Sequence, residues 1–244
     1  MSRGAITFDF HDTIACCDAW FDLEVHHLLS AFFAWRERKT GTAVESSIAT
    51  AADAAYRRFR TAIHRHGHEL PATRSVIVVM ESLGMSINPD EVDLGVEEIM
   101  RVAFECVSPD EGAIETFHEL AAVGIPLGIV SSAAYHPFLP WTLERFGLNR
   151  TFRAVTTSAS AGFYRSRPEI FWQTLNLLGA EPRLSAHIGD SLRFDVGGAR
   201  RAGLRTAWYN SRVAPSDGSR PDLTVTSMRG VAPQLLDLLN GHRR

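Results

Sequence analysis

The stretch AHIGDSLRFD at residues 186–195 decides the fold, because a short apolar run ends there in Gly189 and Asp190 and a helical pattern follows at once. The same order recurs through the second half of the chain. Short apolar runs at 127–130, 152–156 and 206–209 are each separated from the next by helical spacing. Strands separated by single helices predict an α/β fold with a doubly wound parallel sheet.

The first half of the chain has a different pattern. It opens with one more predicted strand, AITFDF at residues 5–10, which ends in polar residues. Apolar residues then recur at helical spacing from Phe21 to about Cys106. We therefore predict one α/β core domain formed by residues 1–15 and 107–244, and one inserted all-helical domain formed by residues 16–106.

Composition excludes several classes of protein. The 244 residues are 45% hydrophobic, and the net charge of −3 gives no electrostatic footprint for nucleic acid or an anionic membrane. Three cysteines are too few for a disulfide framework. No apolar run approaches the roughly 20 residues that span a bilayer, and the N-terminus lacks the apolar stretch of a signal peptide. We expect a cytoplasmic protein with no nucleic-acid or membrane partner; no motif indicates its oligomeric state.

Polar residues follow several of the predicted strands. In a doubly wound sheet the ligand site lies beyond the carboxyl ends of the strands. The polar groups there are the segment 9–13, the pair Ser131 and Ser132, the basic loop 164–168, and Asp190 with Asp195. Carboxylates gathered in one crevice repel each other unless a cation lies among them, and hard oxygen ligands suit Mg²⁺. A carboxylate not consumed by the metal can attack a phosphoryl group.

Together these motifs resemble the haloacid dehalogenase (HAD) superfamily, in the branch with a helical C1-type cap inserted after the first motif. The matching segments, in order, are Asp9 with residues 12–13, the run 124–132, residues 162–171 and residues 187–203. The resemblance covers the whole chain. It implies a Rossmann-like core and identifies residues 16–106 as the cap.

The resemblance also implies roles for individual residues. Asp9 is expected to be the nucleophile that forms a covalent aspartyl intermediate, and Ser131 and Ser132 are expected to bind the phosphoryl group. The expected Mg²⁺ ligands are the side chains of Asp9 and Asp190 and the backbone carbonyl of His11, with Asp195 as further acidic support. The function that follows is that of a Mg²⁺-dependent phosphatase whose partner is a small phosphorylated metabolite.

His11 departs from the family pattern. Phosphatases of the family have an Asp at this position, which acts as general acid and then as general base. An imidazole can make the same proton transfers, but a nearby Mg²⁺ would disfavour its protonated form. The sequence therefore leaves two readings open: a working phosphatase with His11 as a catalytic residue, or a catalytically weak or inactive binding protein.

Arg165 is the second departure, since the family has a Lys there. Only one of the 25 basic Lys and Arg residues, Lys39, is a lysine. The exchange therefore fits the composition of the whole chain and keeps the positive charge, although a guanidinium forks across two oxygens as an ammonium cannot. We predict that Arg165 takes the catalytic role of the lysine.

Other readings are less favoured. Dehalogenases of the family lack the carboxylate that Asp190 supplies, and Arg36 is only a weak counterpart of their substrate arginine. Phosphonate hydrolases use a cap lysine, and Lys39 lies in a charge cluster at a predicted helix end. His64, His66 and His68 have the spacing of a metal tract, but i and i+2 point apart on a helix, so a solvated helix end is the preferred interpretation.

Overall fold

The computed structural model describes residues 3–210 and 220–241. Its strands are β1 Ile6–Phe8, β2 Ala15–Cys16, β3 Ser108–Pro109, β4 Leu127–Ser131, β5 Phe152–Thr157, β6 Ala186–Gly189, β7 Arg205–Tyr209 and β8 Leu223–Val225. Six of these form one sheet in the order β5-β4-β1-β6-β7-β8, and every neighbouring pair is parallel. The predicted α/β fold with a parallel sheet is confirmed.

The register of the central strands brings the predicted site residues together. In β1, Thr7 pairs with Gly128 of β4 on one side and with His187 of β6 on the other. The carboxyl ends of these three strands therefore lie next to each other. Asp9, Ser131 and Asp190 occupy or directly follow those ends.

Between β2 and β3 the chain is built from helices. They are α1 Asp18–Asp22, a π-helical turn at Leu23–His27, α2 Leu28–Thr40, α3 Ser46–His66, α4 Ala72–Ser82 and α5 Pro89–Phe104. Asn88 caps α5 by accepting a hydrogen bond from the Asp90 backbone N–H at 3.0 Å, with Pro89 in the first helical position. We call residues 16–106 the cap segment; the domain boundaries themselves remain a prediction.

The remaining helices all come after β3 in the chain. They are α6 Ala113–Ala122, α7 Phe138–Arg145, α8 Ser158–Ala161, α9 Pro168–Leu178, α10 Gly197–Arg201 and α11 Ala232–Asn240, with a 3₁₀ turn at Pro182–Leu184 and a π-helical turn at Leu192–Val196 before α10. Within the described residues, no helix has the length and apolarity needed to cross a membrane.

The cap segment enters and leaves the sheet at one place. Cys16 pairs with Ser108 and Ala15 with Pro109 in a two-stranded antiparallel ladder. Buried apolar side chains also continue from the sheet into the cap segment as one cluster. Trp20 stacks on Phe138, with the ring centroids 4.8 Å apart. The closely packed boundary fixes the position of cap residues relative to the strand ends.

Candidate active site

Asp9 directly follows β1 and is 1% exposed. Its backbone N–H donates to the carbonyl of Ile188 at 2.9 Å, which ties it to β6. Burial raises the pKa of Asp9, and the positive charge of Arg165 offsets this only in part. The Oδ1 atom is buried and has no hydrogen-bond partner among the described residues. This carboxylate therefore has one oxygen available for a ligand.

Arg165 lies against Asp9. Its Nη1 contacts both Asp9 Oδ2 and Asp195 Oδ1, and its Nε donates to the Ser132 hydroxyl at 3.0 Å. The side chain is buried, and the two carboxylates hold its pKa above the ordinary arginine value even though burial acts the other way. The structure thus places a fixed positive charge at the carboxylate predicted to be the nucleophile.

Asp195 holds Arg165 in place. Its Oδ1 also accepts from His187 Nε2 at 3.1 Å, and its Oδ2 accepts from the Ser191 backbone N–H at 2.8 Å. Burial alone would raise the pKa of Asp195, but Arg165 and the bond from His187 outweigh it and lower this pKa. Gly189 is required beside it, because a Cβ there would overlap the Asp195 carboxyl group.

His187 is a site residue that the sequence analysis missed. Its Nδ1 shares a hydrogen bond of 2.9 Å with the Thr7 hydroxyl, so the buried ring bridges β1 and Asp195. The signal was present in the sequence. Side chains alternate across a strand, and a polar residue inside the apolar strand β6 must find a partner when it is buried.

Asp190 lies at the mouth of the site, where its surface is open to solvent while protein surrounds it on the other sides. This partial burial, and then the carboxylates of Asp195 and Asp9, raise its pKa to about 8. One carboxylate oxygen from each of the three residues lies within 4.8 Å of the others. Such a set of hard oxygen donors fits Mg²⁺, and Asp9 has one oxygen, Oδ1, without a hydrogen-bond partner among the described residues. Asp195 already uses both oxygens in hydrogen bonds.

The His11 ring contacts the cap segment. Its Nε2 donates to Asp18 Oδ1 at 3.3 Å, and it stacks on Phe21 with the ring centroids 4.6 Å apart. The following residue, Asp12, has a φ of 54°, a left-handed conformation that aspartate tolerates better than most residues. The imidazole is therefore held against α1.

The predicted serines take different positions. Ser131 ends β4, is buried, and lines the same cavity as Asp9. Ser132 also lines this cavity, but its hydroxyl accepts the bond from Arg165. Both predicted serines therefore lie at the cavity, and the Ser132 hydroxyl is engaged by Arg165.

This cavity has a volume of about 300 Å³ and lies between the strand ends and the cap segment. The cap side chains that line it are Trp20, Phe21, Glu24, Val25, Arg60 and His64. A wider cavity of about 500 Å³ lies beside α4 and α5 and contains none of the predicted site residues. The smaller cavity is therefore the candidate active site.

A second ionic network, which the sequence analysis missed, joins the cap segment to the core. Arg60 donates to both oxygens of Glu69 at 2.6 and 3.1 Å, and Glu69 also accepts from the Ser158 hydroxyl at 2.9 Å. Glu24 accepts from the backbone N–H groups of Ala134 and Tyr135, at 2.8 and 2.7 Å. Burial raises the pKa of Glu24 to about 7. No motif marks these residues, since each pair is distant or irregularly spaced in sequence.

The prediction for the histidine tract is wrong for one of its members. His66 and His68 are exposed, as expected for a helix end at Gly67. His64 is half-buried and lines the active-site cavity, because α3 packs there against Tyr164 and Phe194. Burial, followed by the charges of Arg60 and Arg193, lowers the pKa of His64 to about 4.

The cap residues of the less favoured readings lie elsewhere. Arg36 donates from Nε to Glu91 at 2.8 Å, and Lys39 donates to Glu98 at 3.0 Å. Neither residue lines the active-site cavity. Arg36, the candidate dehalogenase arginine, and Lys39, the candidate phosphonate-cleaving lysine, therefore form ion pairs between α2 and α5 and lie away from the cavity.

The chain is similar to several proteins of known name or structure. The glyceraldehyde 3-phosphate phosphatase of Methanopyrus kandleri is 27% identical over 190 residues, which cover 75% of this chain and 78% of that protein. A crystal structure of a HAD phosphatase from Thermococcus onnurineus superposes with a TM-score of 0.63 at 21% identity, covering 99% of this chain and 100% of the other.

A 2-haloacid dehalogenase from Pseudomonas syringae superposes with a TM-score of 0.69, also at 21% identity, covering 96% of this chain and 98% of the other. Two solved structures with differently named activities show the fold and not the reaction. The family model described as haloacid dehalogenase-like hydrolase matches residues 4–203. Since that match spans most of the chain, this protein belongs to the haloacid dehalogenase-like hydrolases.

Proposed function

We propose that the protein is a Mg²⁺-dependent phosphatase of a small phosphorylated metabolite, acting through an aspartyl-phosphate intermediate. The observation that carries the proposal is the contact of Arg165 with buried Asp9, which is one of three clustered carboxylates. A cavity of about 300 Å³ limits the substrate to a small molecule. The name of the Methanopyrus relative supports phosphate ester hydrolysis.

In the first step the Asp9 carboxylate attacks phosphorus. The new bond joins a carboxylate oxygen to phosphorus, while the bond to the ester oxygen breaks and the alcohol leaves with a proton. Arg165 stabilises the negative charge on the phosphoryl oxygens, and the Ser131 hydroxyl donates to one of them. Asp195 and Ser132 keep the guanidinium in position throughout.

In the second step a water molecule attacks the aspartyl-phosphate. The bond between the Asp9 oxygen and phosphorus breaks, which releases inorganic phosphate and restores the carboxylate. A base must take a proton from the water, and His11, which lines the cavity, is the residue we assign to both proton transfers. Asp18 accepts from its Nε2 and orients the ring.

The Mg²⁺ ligands in this proposal are Asp9, Asp190 and the backbone carbonyl of His11. When bound, the ion supplies positive charge that neutralises the phosphoryl group. Asp195 contributes indirectly, since both of its oxygens already accept hydrogen bonds. We assign Asp195 to positioning Arg165 and the Ser191 backbone.

One observation favours a second candidate, a weakly active or inactive phosphate-binding protein. The His11 ring is engaged by Asp18 and stacked on Phe21, an arrangement that can hold the imidazole away from a leaving group. In that case Asp9, Asp190 and Ser131 would still bind metal and phosphate.

Hydrolysis of p-nitrophenyl phosphate across pH, with Mg²⁺ and with EDTA, separates the two candidates. For the phosphatase we expect Mg²⁺-dependent turnover that Asp9→Asn abolishes and that His11→Asp does not increase. An inert wild-type chain that gains activity on His11→Asp would establish the second candidate instead. Turnover that persists in Asp9→Asn would contradict the nucleophile assignment.

A further inference from the structure

Two polar side chains of α3 line the cap side of the active-site cavity and have no part in the proposed chemistry. Arg60 and His64 lie four residues apart on α3, so they share one face of the helix. Both line the cavity that Asp9 lines from the core. With a phosphoryl group at Asp9, the rest of the substrate extends into the space that these residues border.

Arg60 is held rigidly and keeps one donor unused. The side chain is 3% exposed, and both of its terminal nitrogens donate to Glu69. Its Nε is buried and has no hydrogen-bond partner among the described residues. The charge of Arg60 is therefore compensated, while one N–H group in a fixed place still lacks an acceptor.

His64 offers a complementary group. Its ring packs against Tyr164 and Phe194, with centroids 4.7 and 6.1 Å away. Its Nε2 is also buried without a partner in the described part of the chain. With a pKa lowered to about 4, the imidazole is neutral at pH 7, so one ring nitrogen donates a hydrogen bond and the other accepts one. Buried polar atoms without partners are rare in folded proteins, so two on one helix face require an explanation.

The charges around this pair select the kind of group that fits. Glu69 neutralises Arg60, His64 is uncharged, and the carboxyl group of Glu24 also lines the cavity. Arg193 lowers the pKa of His64 through its charge but does not line the cavity, so a second carboxylate or phosphate on the substrate would meet no uncompensated cationic side chain among the lining residues around this pair. A hydroxyl group is the neutral group that can both accept from an N–H such as the Arg60 Nε–H and donate to an imidazole nitrogen.

We propose that Arg60 and His64 form a subsite for a hydroxyl group on the non-phosphoryl part of the substrate. The preferred substrates are then small phosphate monoesters that are hydroxylated and carry no second anionic group. This inference rests on the proposed function for the placement of the phosphoryl end. The subsite itself is defined by its own contacts and can be tested by binding alone.

The test measures dissociation constants by calorimetry with Mg²⁺, in the Asp9→Asn background so that ligands are not consumed. The probes are glycerol 3-phosphate, propyl phosphate and 3-phosphoglycerate. We expect glycerol 3-phosphate to bind about 10-fold more tightly than propyl phosphate, the equivalent of one well-formed hydrogen bond. We expect 3-phosphoglycerate to bind more weakly than glycerol 3-phosphate.

Variants on α3 locate the effect. His64→Phe keeps the aromatic packing and removes both ring nitrogens, so the preference for glycerol 3-phosphate should fall to about 2-fold or less, with propyl phosphate unaffected. His64→Gln restores a hydrogen-bonding group and should recover part of the preference. His66→Phe, at an exposed position on the same helix, is the matched control and should leave the preference intact.

Several results would overturn the subsite. One is an Asp9→Asn chain that shows no preference for glycerol 3-phosphate, and another is a preference that survives His64→Phe. The others are an equal loss of affinity for both esters in His64→Phe, and 3-phosphoglycerate as the tightest ligand. Thermal unfolding of each variant shows whether it is folded, and His64→Leu, which also removes both ring nitrogens, takes the place of His64→Phe if that variant is not. Turnover of the same esters is measured on the wild-type chain. Binding with the expected preference but without hydrolysis would contradict the proposed function and leave the subsite standing.

Discussion

Two buried arginines border the active-site cavity, one from the core and one from the cap segment. Both are held by carboxylates, but in different ways. The Nη1 atom of Arg165 contacts Asp9 and Asp195 together, whereas Arg60 places both terminal nitrogens on Glu69. The charge of Arg165 therefore acts on the carboxylate that we propose as the nucleophile. The charge of Arg60 acts on Glu69, another cap residue, which in turn accepts from Ser158 of the core. Both arginines are buried and paired, so only the identity of the partner separates the roles that we propose for them.

Replacement of Arg165 should give the largest effect on activity. Arg165→Met removes the positive charge at Asp9, so we expect kcat for p-nitrophenyl phosphate to fall by about 10³-fold. Arg165→Lys keeps the charge and loses the bond from Nε to Ser132, and should retain much more of the activity. Equal losses in the two variants would show that the fork geometry matters and the charge alone does not.

Replacement of Arg60 should act on stability instead. Arg60→Met leaves Glu69 buried without its cation, and we expect the free energy of unfolding to fall by about 3–5 kcal/mol. The measurement is chemical denaturation, with Lys39→Met as the control, because the pair of Lys39 and Glu98 is exposed and should contribute little. A kcat loss in Arg60→Met as large as in Arg165→Met would remove the distinction between the two arginines.

Replacement of His187, which donates to the Asp195 carboxylate that holds Arg165, should have an intermediate effect on activity. His187→Leu deletes the donor to Asp195, and we expect a decrease of about 10-fold in kcat with little change in KM, since one hydrogen bond is lost from the network. His187→Gln can still donate and should recover part of the rate. An increase in KM at constant kcat would instead place His187 in substrate binding.

The smallest effect concerns pH and the cap side of the cavity. The native pKa of His64, about 4, lies below the unfolded value near 6.5, so between these pH values the unfolded chain binds a proton that the native chain does not. The contribution of His64 to stability is therefore present above pH 6.5 and is lost as the pH falls towards 4. Denaturation midpoints of the wild type and of His64→Gln across this range should diverge, with the flatter profile in the variant. Parallel profiles would mean that the imidazole is solvated.

The core half of the site could be predicted from sequence because its residues follow strands. Asp9, Ser131 and Asp190 each lie at the carboxyl end of an apolar run, and adjacent parallel strands necessarily bring such ends together. The position of Arg165 followed from residues 162–171, the third of the segments that resemble the HAD superfamily. Even His187 obeys strand alternation, so its burial beside Thr7 could have been derived from the same pattern.

The cap half could not be predicted in this way. Glu24 binds backbone groups at Ala134 and Tyr135, more than a hundred residues away, and nothing in the local sequence specifies that pairing. The burial of His64 depends on how α3 packs against Tyr164, and the placement of the His11 ring depends on Phe21. A helical period indicates which face of a helix is apolar, but it does not indicate which residues that face will contact in the folded chain.

The two-stranded ladder at the base of the cap segment has a consequence for deleting or replacing that segment. Because Cys16 and Ser108 are paired, a short turn could join them and leave the backbone of the sheet unbroken. The apolar packing opposes such a deletion, since Phe10 and Phe138 both pack on Trp20 and would be left facing water. A different insert could be grafted at this junction only if it brought an aromatic face of its own. The chain connection therefore permits replacement of the cap segment, but the replacement must again bury Phe10 and Phe138.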